Sequence, residues 1–338
     1  MNIFKNKILI FLVIIIAIGV IFAGSKFSAK KEVKPVVLTK VSMALDWFPN
    51  SDHAELFIAK ERGYFVKEGL DVDLHTPADP STVLQTVASG RDDLGMSPQL
   101  DVLIARGKGI KIVSIIGLVQ HPLNSIMALK SSGITQPKEL VGKKVGGTGI
   151  PDTEPLLDTM LKSQGKSIKD VELVNVGFDL VPALISKKVD AIIGAFWTSE
   201  SISAENQGFP VNIMRMEKYG VPDYYELVLV TNEDKIGKDS DLIQRFVRAT
   251  KKGYEDAIAD PQGAVRIMKK LKPEVDLVLE SKSVDLLAPL WVPENKVFGW
   301  QEEKRWEDFA KWMKENNLLG KDVDAHAAFN NSFVENAK

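Results

Sequence analysis

The chain contains no cysteine. Disulfides, thiolate nucleophiles, iron–sulfur clusters and Cys-type zinc sites are therefore excluded at the outset. Histidine is nearly as scarce: His53, His75, His121 and His326 are scattered and show no metal-ligand spacing. No Gly-x-Ser-x-Gly elbow, P-loop or His-Glu-x-x-His helix occurs in the 338 residues, and nothing sets a nucleophile beside a base. Long runs of like charge are missing too. Lys and Arg total 43 against 45 Asp and Glu, a formal net charge of −2. Basic pairs such as Lys143-Lys144 and Lys269-Lys270 lie among acids, the pattern of a solvated face, so no nucleic-acid partner is indicated. Acidic pairs such as Asp92-Asp93 fit turn and capping chemistry better than general acid–base work.

What the chain does have is apolar material: 45% of its residues are hydrophobic. That can fill a large core, and the length suggests about two domains. Near the N-terminus Lys5 and Lys7 precede an unbroken apolar run, Ile8 to Gly24, followed by Lys26, Lys30 and Lys31. A basic flank plus an apolar core reads residues 1–25 as a signal peptide or an N-terminal membrane anchor. The run has 17 residues, at the short limit of the roughly 17–25 that span a bilayer. Ser25 stands where a lipoprotein signal carries its cysteine, which excludes lipid attachment there. The rest of the chain is expected in the periplasm or on the outer face of the cytoplasmic membrane, with membrane contact through this segment if it is kept. Residues 26–39 read as a linker.

Beyond the linker, short β-rich runs alternate with amphipathic segments, the pattern of an α/β fold with mostly parallel strands. Strands are expected over Val41–Leu45, Leu70–Leu74, Asp93–Met96, Lys111–Leu118 and Ser125–Leu129. A second set covers Lys144–Gly146, Val171–Val174, Ala191–Gly194, Val211–Arg215 and Glu226–Thr231. From Ser240 the pattern turns helical, with Leu242, Phe246, Ala249 and Tyr254 on one face and Trp306, Phe309, Trp312 and Met313 on another. One segment echoes another: Ala88–Met96 resembles Ile185–Gly194, each a helix end, a turn, an Asp, a short apolar strand and a Gly. Ligands of open α/β sheets bind outside strand carboxyl ends, so the echo suggests two such ends facing one cleft; chance similarity of two ordinary units is the alternative.

Asp46-Trp47-Phe48-Pro49-Asn50 follows the first strand. It suits ring stacking and edge hydrogen bonding, or equally a turn with its aromatics packed beneath. Gly146-Gly147-Thr148-Gly149-Ile150-Pro151-Asp152 follows another strand. Asp152 stands where a dinucleotide fingerprint needs its third glycine, so a backbone nest near a small ligand, with Glu154 close by, is the better reading. Phe196-Trp197 and Asp223-Tyr224-Tyr225-Glu226 add aromatics at strand ends, as core packing or as walls for a flat ring.

At these residues the sequence resembles a known family: bacterial binders of formylaminopyrimidine or hydroxymethylpyrimidine, and the related eukaryotic pyrimidine synthase of thiamine biosynthesis. The markers are Leu45–Asn50, His53, Ile58–Phe65, Glu68–Val72, Asp93–Ser97, Gly146–Gly149 and Asp223–Tyr225, over about Val41 to Phe333. The Gly63-Tyr64-Phe65 and Glu68-Gly69-Leu70 stretch is shared with taurine, sulfonate and nitrate binders.

The resemblance implies a type II periplasmic-binding-protein fold, two α/β lobes joined by a two-strand hinge. Residues 40–125 and 227–338 would form lobe 1 and residues 126–226 lobe 2. It implies a small-molecule ligand, an ABC permease and ATPase as partners, and no cofactor or metal. Carried over residue by residue, the pocket would include Asp46, Trp47, Asn50, His53, Ser97 and Gly147. Glu154, Phe196, Trp197, Tyr224 and Glu226 would complete it. The synthase's cysteine run is missing near Asp223–Glu226, and Ser97 stands where its cofactor-bearing lysine would be. His53 matches its reactive histidine, but without those partners a binder is expected and not an enzyme. Riboflavin, a sulfonate or nitrate are the alternative ligands.

Overall fold

The computed structural model describes residues 37–151, 153–319 and 323–337. The expected signal or anchor segment, most of the linker and Asp152 lie outside the described residues. Thr39, the last residue assigned to the linker, already opens the first strand.

Among the described residues ten strands carry the architecture: β1 Thr39–Ala44, β2 Leu70–His75, β3 Leu94–Ser97, β4 Ile112–Val119, β5 Asn124–Leu129, β6 Lys144–Gly147, β7 Glu172–Asn175, β8 Ala191–Phe196, β9 Val211–Arg215 and β10 Leu227–Asn232. All ten expected strands are present, their ends shifted by at most two residues. The side-chain pattern explains their placement. In β2, Leu70, Val72 and Leu74 are buried while Asp71 and Asp73 point out, as suits an edge strand. All of β4, Ile-Val-Ser-Ile-Ile-Gly-Leu-Val, is buried, as expected of a run covered on both faces.

The strands form two five-stranded sheets, β2-β1-β3-β10-β4 and β7-β6-β8-β5-β9. In the first, β1 runs parallel to β2 and β3, while β10 is antiparallel to β3 and β4. The second repeats this: β6 is parallel to β7 and β8, while β5 is antiparallel to β8 and β9. The sequence echo has a physical meaning here. Asp93 donates its N–H to the Ser42 carbonyl and accepts from the Ser42 N–H, at 3.0 and 2.9 Å. Asp190 does the same to Lys144 at 2.8 and 2.9 Å. Each Asp pins the central strand of its sheet, β3 or β8, to the parallel neighbour, β1 or β6, and so helps set their register.

The chain crosses between sheets twice, after β4 and before β10. The expected boundary between residues 125 and 126 falls within β5, every residue of which from Asn124 pairs in the second sheet. The first crossing is therefore Gln120–Leu123. One face of the first sheet carries the helices Ala54–Glu61 and Glu233–Ala259, with Leu242, Phe246, Ala249 and Tyr254 all buried. Its other face is covered by Trp306, Phe309 and Met313 of the helix Glu303–Glu315, while Trp312 is only partly buried at the edge of that cluster. Among the described residues no helix is long and apolar enough to cross a membrane.

Candidate functional site

The loop after β1 is held by its own residues. Asn50 caps the turn Ser51–His53, its side-chain oxygen accepting from the Asp52 N–H at 2.8 Å. The Asn50 N–H donates to His53 Nδ1 at 3.1 Å, closing a reciprocal capping box. Nδ1 is thereby an acceptor, so the ring proton sits on Nε2, which donates to Asp46 Oδ1 at 2.8 Å. His53 is fully buried, whereas the Asp46 side chain is 16% exposed. The imidazole therefore fixes one oxygen of Asp46, a residue that lines a cavity.

That cavity holds about 190 Å³ between the sheets. Asp46, Trp47, Asn50 and Ser97 line it from the first lobe, and Thr148, Gly194, Phe196 and Glu200 from the second. The Trp47 ring meets Phe178 edge-on at 4.6 Å, and Phe48 meets the same ring at 4.5 Å, so aromatic contacts join the lobes beside the cavity. Gly194 has φ +89°, which favours glycine, and its N–H donates to Asn124 Oδ1 at 3.0 Å. That bond anchors the bend that turns Phe196 toward the cavity.

Of the residues named from sequence, Asp46, Trp47, Asn50, Ser97, Phe196 and Glu226 line the cavity. Five do not, each for a definable reason. His53 stands behind Asp46 as its orienter. A Cβ on Gly147 would lie 2.4 Å from the Thr153 methyl, so this glycine serves helix-on-strand packing and not a ligand nest. Glu154 is exposed in the first turn of the helix Thr153–Lys162. Trp197 lies at the hinge: its Nε1–H donates to the Pro122 carbonyl at 3.1 Å, and Arg215 stacks over its ring at 4.4 Å. Tyr224 is fully buried, packed on Phe309 at 5.2 Å, and its hydroxyl donates to Glu226 Oε2 at 3.1 Å. The phenol walls expected near the ligand are thus core, and the phenyl of Phe196 takes that place.

Glu226 has a second duty. Its Oε2 accepts the N–H groups of Leu123 and Asn124, at 2.6 and 2.8 Å, so one crossing segment clamps the other. Tyr225 extends this girdle, accepting from the Glu302 N–H at 2.6 Å under the Arg305 guanidinium, 4.6 Å from its ring.

The sequence reading missed Glu200. Its Oε2 accepts the Phe196 N–H at 2.8 Å, and its carboxyl opens on the cavity while protein encloses the rest. Burial, with smaller contributions from Glu280 and Asp46, pushes it up to about 7. Behind it lie more buried acids. Burial raises Glu55 to about 8 and Asp52 well above the usual carboxylate range. Glu280 is also raised by burial, although its Oε2 accepts the Ser51 N–H at 2.7 Å. A carboxylate four residues beyond an aromatic strand end, opening a helix, was the available signal for Glu200. Among the described residues, Glu303, Glu307 and His326 could meet at a metal. All three are exposed, and both ring nitrogens of His326 already face carboxylates, at 2.5 and 3.1 Å.

Two sheets of matching strand order, joined by two crossings around a shared cavity, define a type II periplasmic-binding-protein fold. Within that class the chain belongs to the NMT1/THI5-like family, whose profile matches residues 50–264. The formylaminopyrimidine-binding protein of Halalkalibacterium halodurans is 36% identical over 296 residues, 86% of this chain and 90% of that protein. The 4-amino-5-hydroxymethyl-2-methylpyrimidine phosphate synthase THI11 of Saccharomyces cerevisiae is 28% identical over 253 residues, 72% of this chain and 74% of that one. Among solved structures, the alkanesulfonate-binding protein SsuA from Xanthomonas axonopodis pv. citri, bound to MOPS, superposes with a TM-score of 0.67 at 14% identity. That match covers 87% of this chain and 98% of the other, and shows the shared fold.

Proposed function

We propose that this chain is an exported solute-binding protein that captures a thiamine-type aminopyrimidine between its lobes and delivers it to an ABC permease. One observation carries the reading. Asp46 on one lobe offers a fixed carboxylate acceptor, and Glu200 on the other offers a carboxyl that burial keeps partly protonated near pH 7. An acceptor beside a donor matches the edge of a 4-aminopyrimidine, whose exocyclic amine donates and whose ring nitrogen accepts. Trp47 and Phe196 supply the faces for the ring. Among the described residues, Asp46, Asp101 and Glu226 set three acids in the lining against Lys108, with Glu200 apart as the partly protonated donor. A sulfonate or nitrate would meet mostly like charge there, which disfavours those alternatives.

A ligand that touches both lobes favours the closed arrangement over an open one by its contacts with the second lobe, and a permease can read that difference. The synthase chemistry of the fungal relatives finds little support in this lining. A pyridoxal Schiff base requires a lysine amine, and among the described residues the lysine in the lining is Lys108, exposed just past the end of the helix Gln99–Gly107. Mass spectrometry of ligand carried through native purification tests the reading: an aminopyrimidine is expected, and a sulfonate in its place overturns it. Formation of pyrimidine product on incubation with pyridoxal phosphate and iron would overturn the binder assignment itself.

A further inference from the structure

We infer that the site accepts an aminopyrimidine bearing an apolar extension, an N-acyl chain several carbons longer than formyl, in preference to the short ring alone. The inference rests on the pyrimidine reading above and deepens it. The cavity does not end at the cleft. Past Ser97 it runs into the first lobe between the helices Val83–Ala88 and Gln99–Gly107. Asp101, Ile104, Ala105 and Lys108 form one wall of this arm. Their spacing of i, i+3, i+4 and i+7 is a single stripe along a helix. At 1.5 Å per residue that stripe is about 10 Å long.

Pro80, Val83 and Leu84 line the facing wall, together with the polar Ser81 and Gln85. Val83 and Leu84 on one side and Ile104 and Ala105 on the other make the arm mainly apolar, with Asp101 toward the cleft and the exposed Lys108 at the far end of the stripe. A single ring held by Asp46, Glu200 and Trp47 leaves this arm to whatever the ring carries. Water in an apolar channel finds few hydrogen-bond partners, so methylenes that displace it gain affinity. Ala105 decides the width. A larger side chain in the middle of the stripe would fill the arm, and the alanine keeps it open.

Calorimetry on the exported chain with two amides of 4-amino-5-aminomethyl-2-methylpyrimidine, formyl and hexanoyl, tests this. Each methylene taken from water can contribute a factor of roughly four, so the hexanoyl amide is expected to bind at least about tenfold tighter. Ala105→Phe should remove that gain and leave formyl-amide affinity within about twofold, since no contact to the ring changes. Should that variant fail to fold, Leu84→Trp on the half-buried facing wall makes the same comparison. Equal or weaker binding of the hexanoyl amide by the parent chain overturns the inference and leaves the pyrimidine reading intact. A gain that persists in a folded, plugged variant also overturns it. If neither amide binds the parent chain, the pyrimidine reading itself fails.

Discussion

Glu200 offers the sharpest lever on the site, because its proton is the ligand's partner in the proposed pairing and it leaves within an accessible pH range. With the carboxyl pushed up to about 7 by burial, about nine-tenths of it is protonated at pH 6 and about one-tenth at pH 8. If the protonated carboxyl donates to a ring nitrogen, the association constant follows that fraction and falls about tenfold between those values. Glu200→Gln should abolish this dependence, because an amide N–H donates at every pH. The same amide oxygen can still accept from the Phe196 N–H. Titration of the ligand's own ring nitrogen is common to both proteins and cancels in the comparison. Isothermal titration calorimetry with 4-amino-5-hydroxymethyl-2-methylpyrimidine at pH 6, 7 and 8 reads the difference directly. A flat profile in the parent chain, or an equal decline in Glu200→Gln, refutes the reasoning.

Trp47→Ala removes a cavity wall and the edge contact to Phe178, and should weaken aromatic-ligand affinity by about 1–3 kcal/mol; unchanged affinity in calorimetry takes Trp47 out of the site. Glu226→Ala orphans the Leu123 and Asn124 N–H groups at the hinge and should cost about 2 kcal/mol or more of stability. Urea unfolding measures it, and a midpoint equal to the parent's shows that the clamp is dispensable. The buried acids set a pH trend in stability. Glu55, raised from 4.5 to about 8, binds a proton in the folded state that the unfolded chain has released. Its contribution is fully present below about pH 4.5 and is lost as pH rises to about 8. The melting temperature should therefore fall across that window, less so in Glu55→Gln; an identical slope in the variant would exclude Glu55 as a cause.

Much of the architecture was legible from local pattern. The ten strands were found because apolar alternation and short buried runs leave few other options, and Asp93 and Asp190 announced a repeated unit whose hydrogen bonds turn out to match. The loop Asp46–Asn50 was legible too, since one residue caps the next turn and another follows a strand end. The masking effect of burial limited the rest. Tyr224 beside polar neighbours looks the same in sequence whether it walls a cavity or packs on Phe309, and Glu154 looks as close to a site as Glu200 does.

By itself, then, the sequence determined the α/β class, the strand set, the lack of thiol chemistry and the loop that holds Asp46, because these follow from residue type and short-range spacing. Only the tertiary structure decided that Glu200 and Phe196 stand across from Asp46 and Trp47. It also turned Tyr224 and Trp197 inward to the core and hinge, and extended the cavity along one stripe of the helix Gln99–Gly107. Those relations join residues far apart in the chain, Asp46 with Glu200 and Tyr224 with Phe309 among them. They depend on how two sheets meet across two crossing segments, a geometry that no local period encodes.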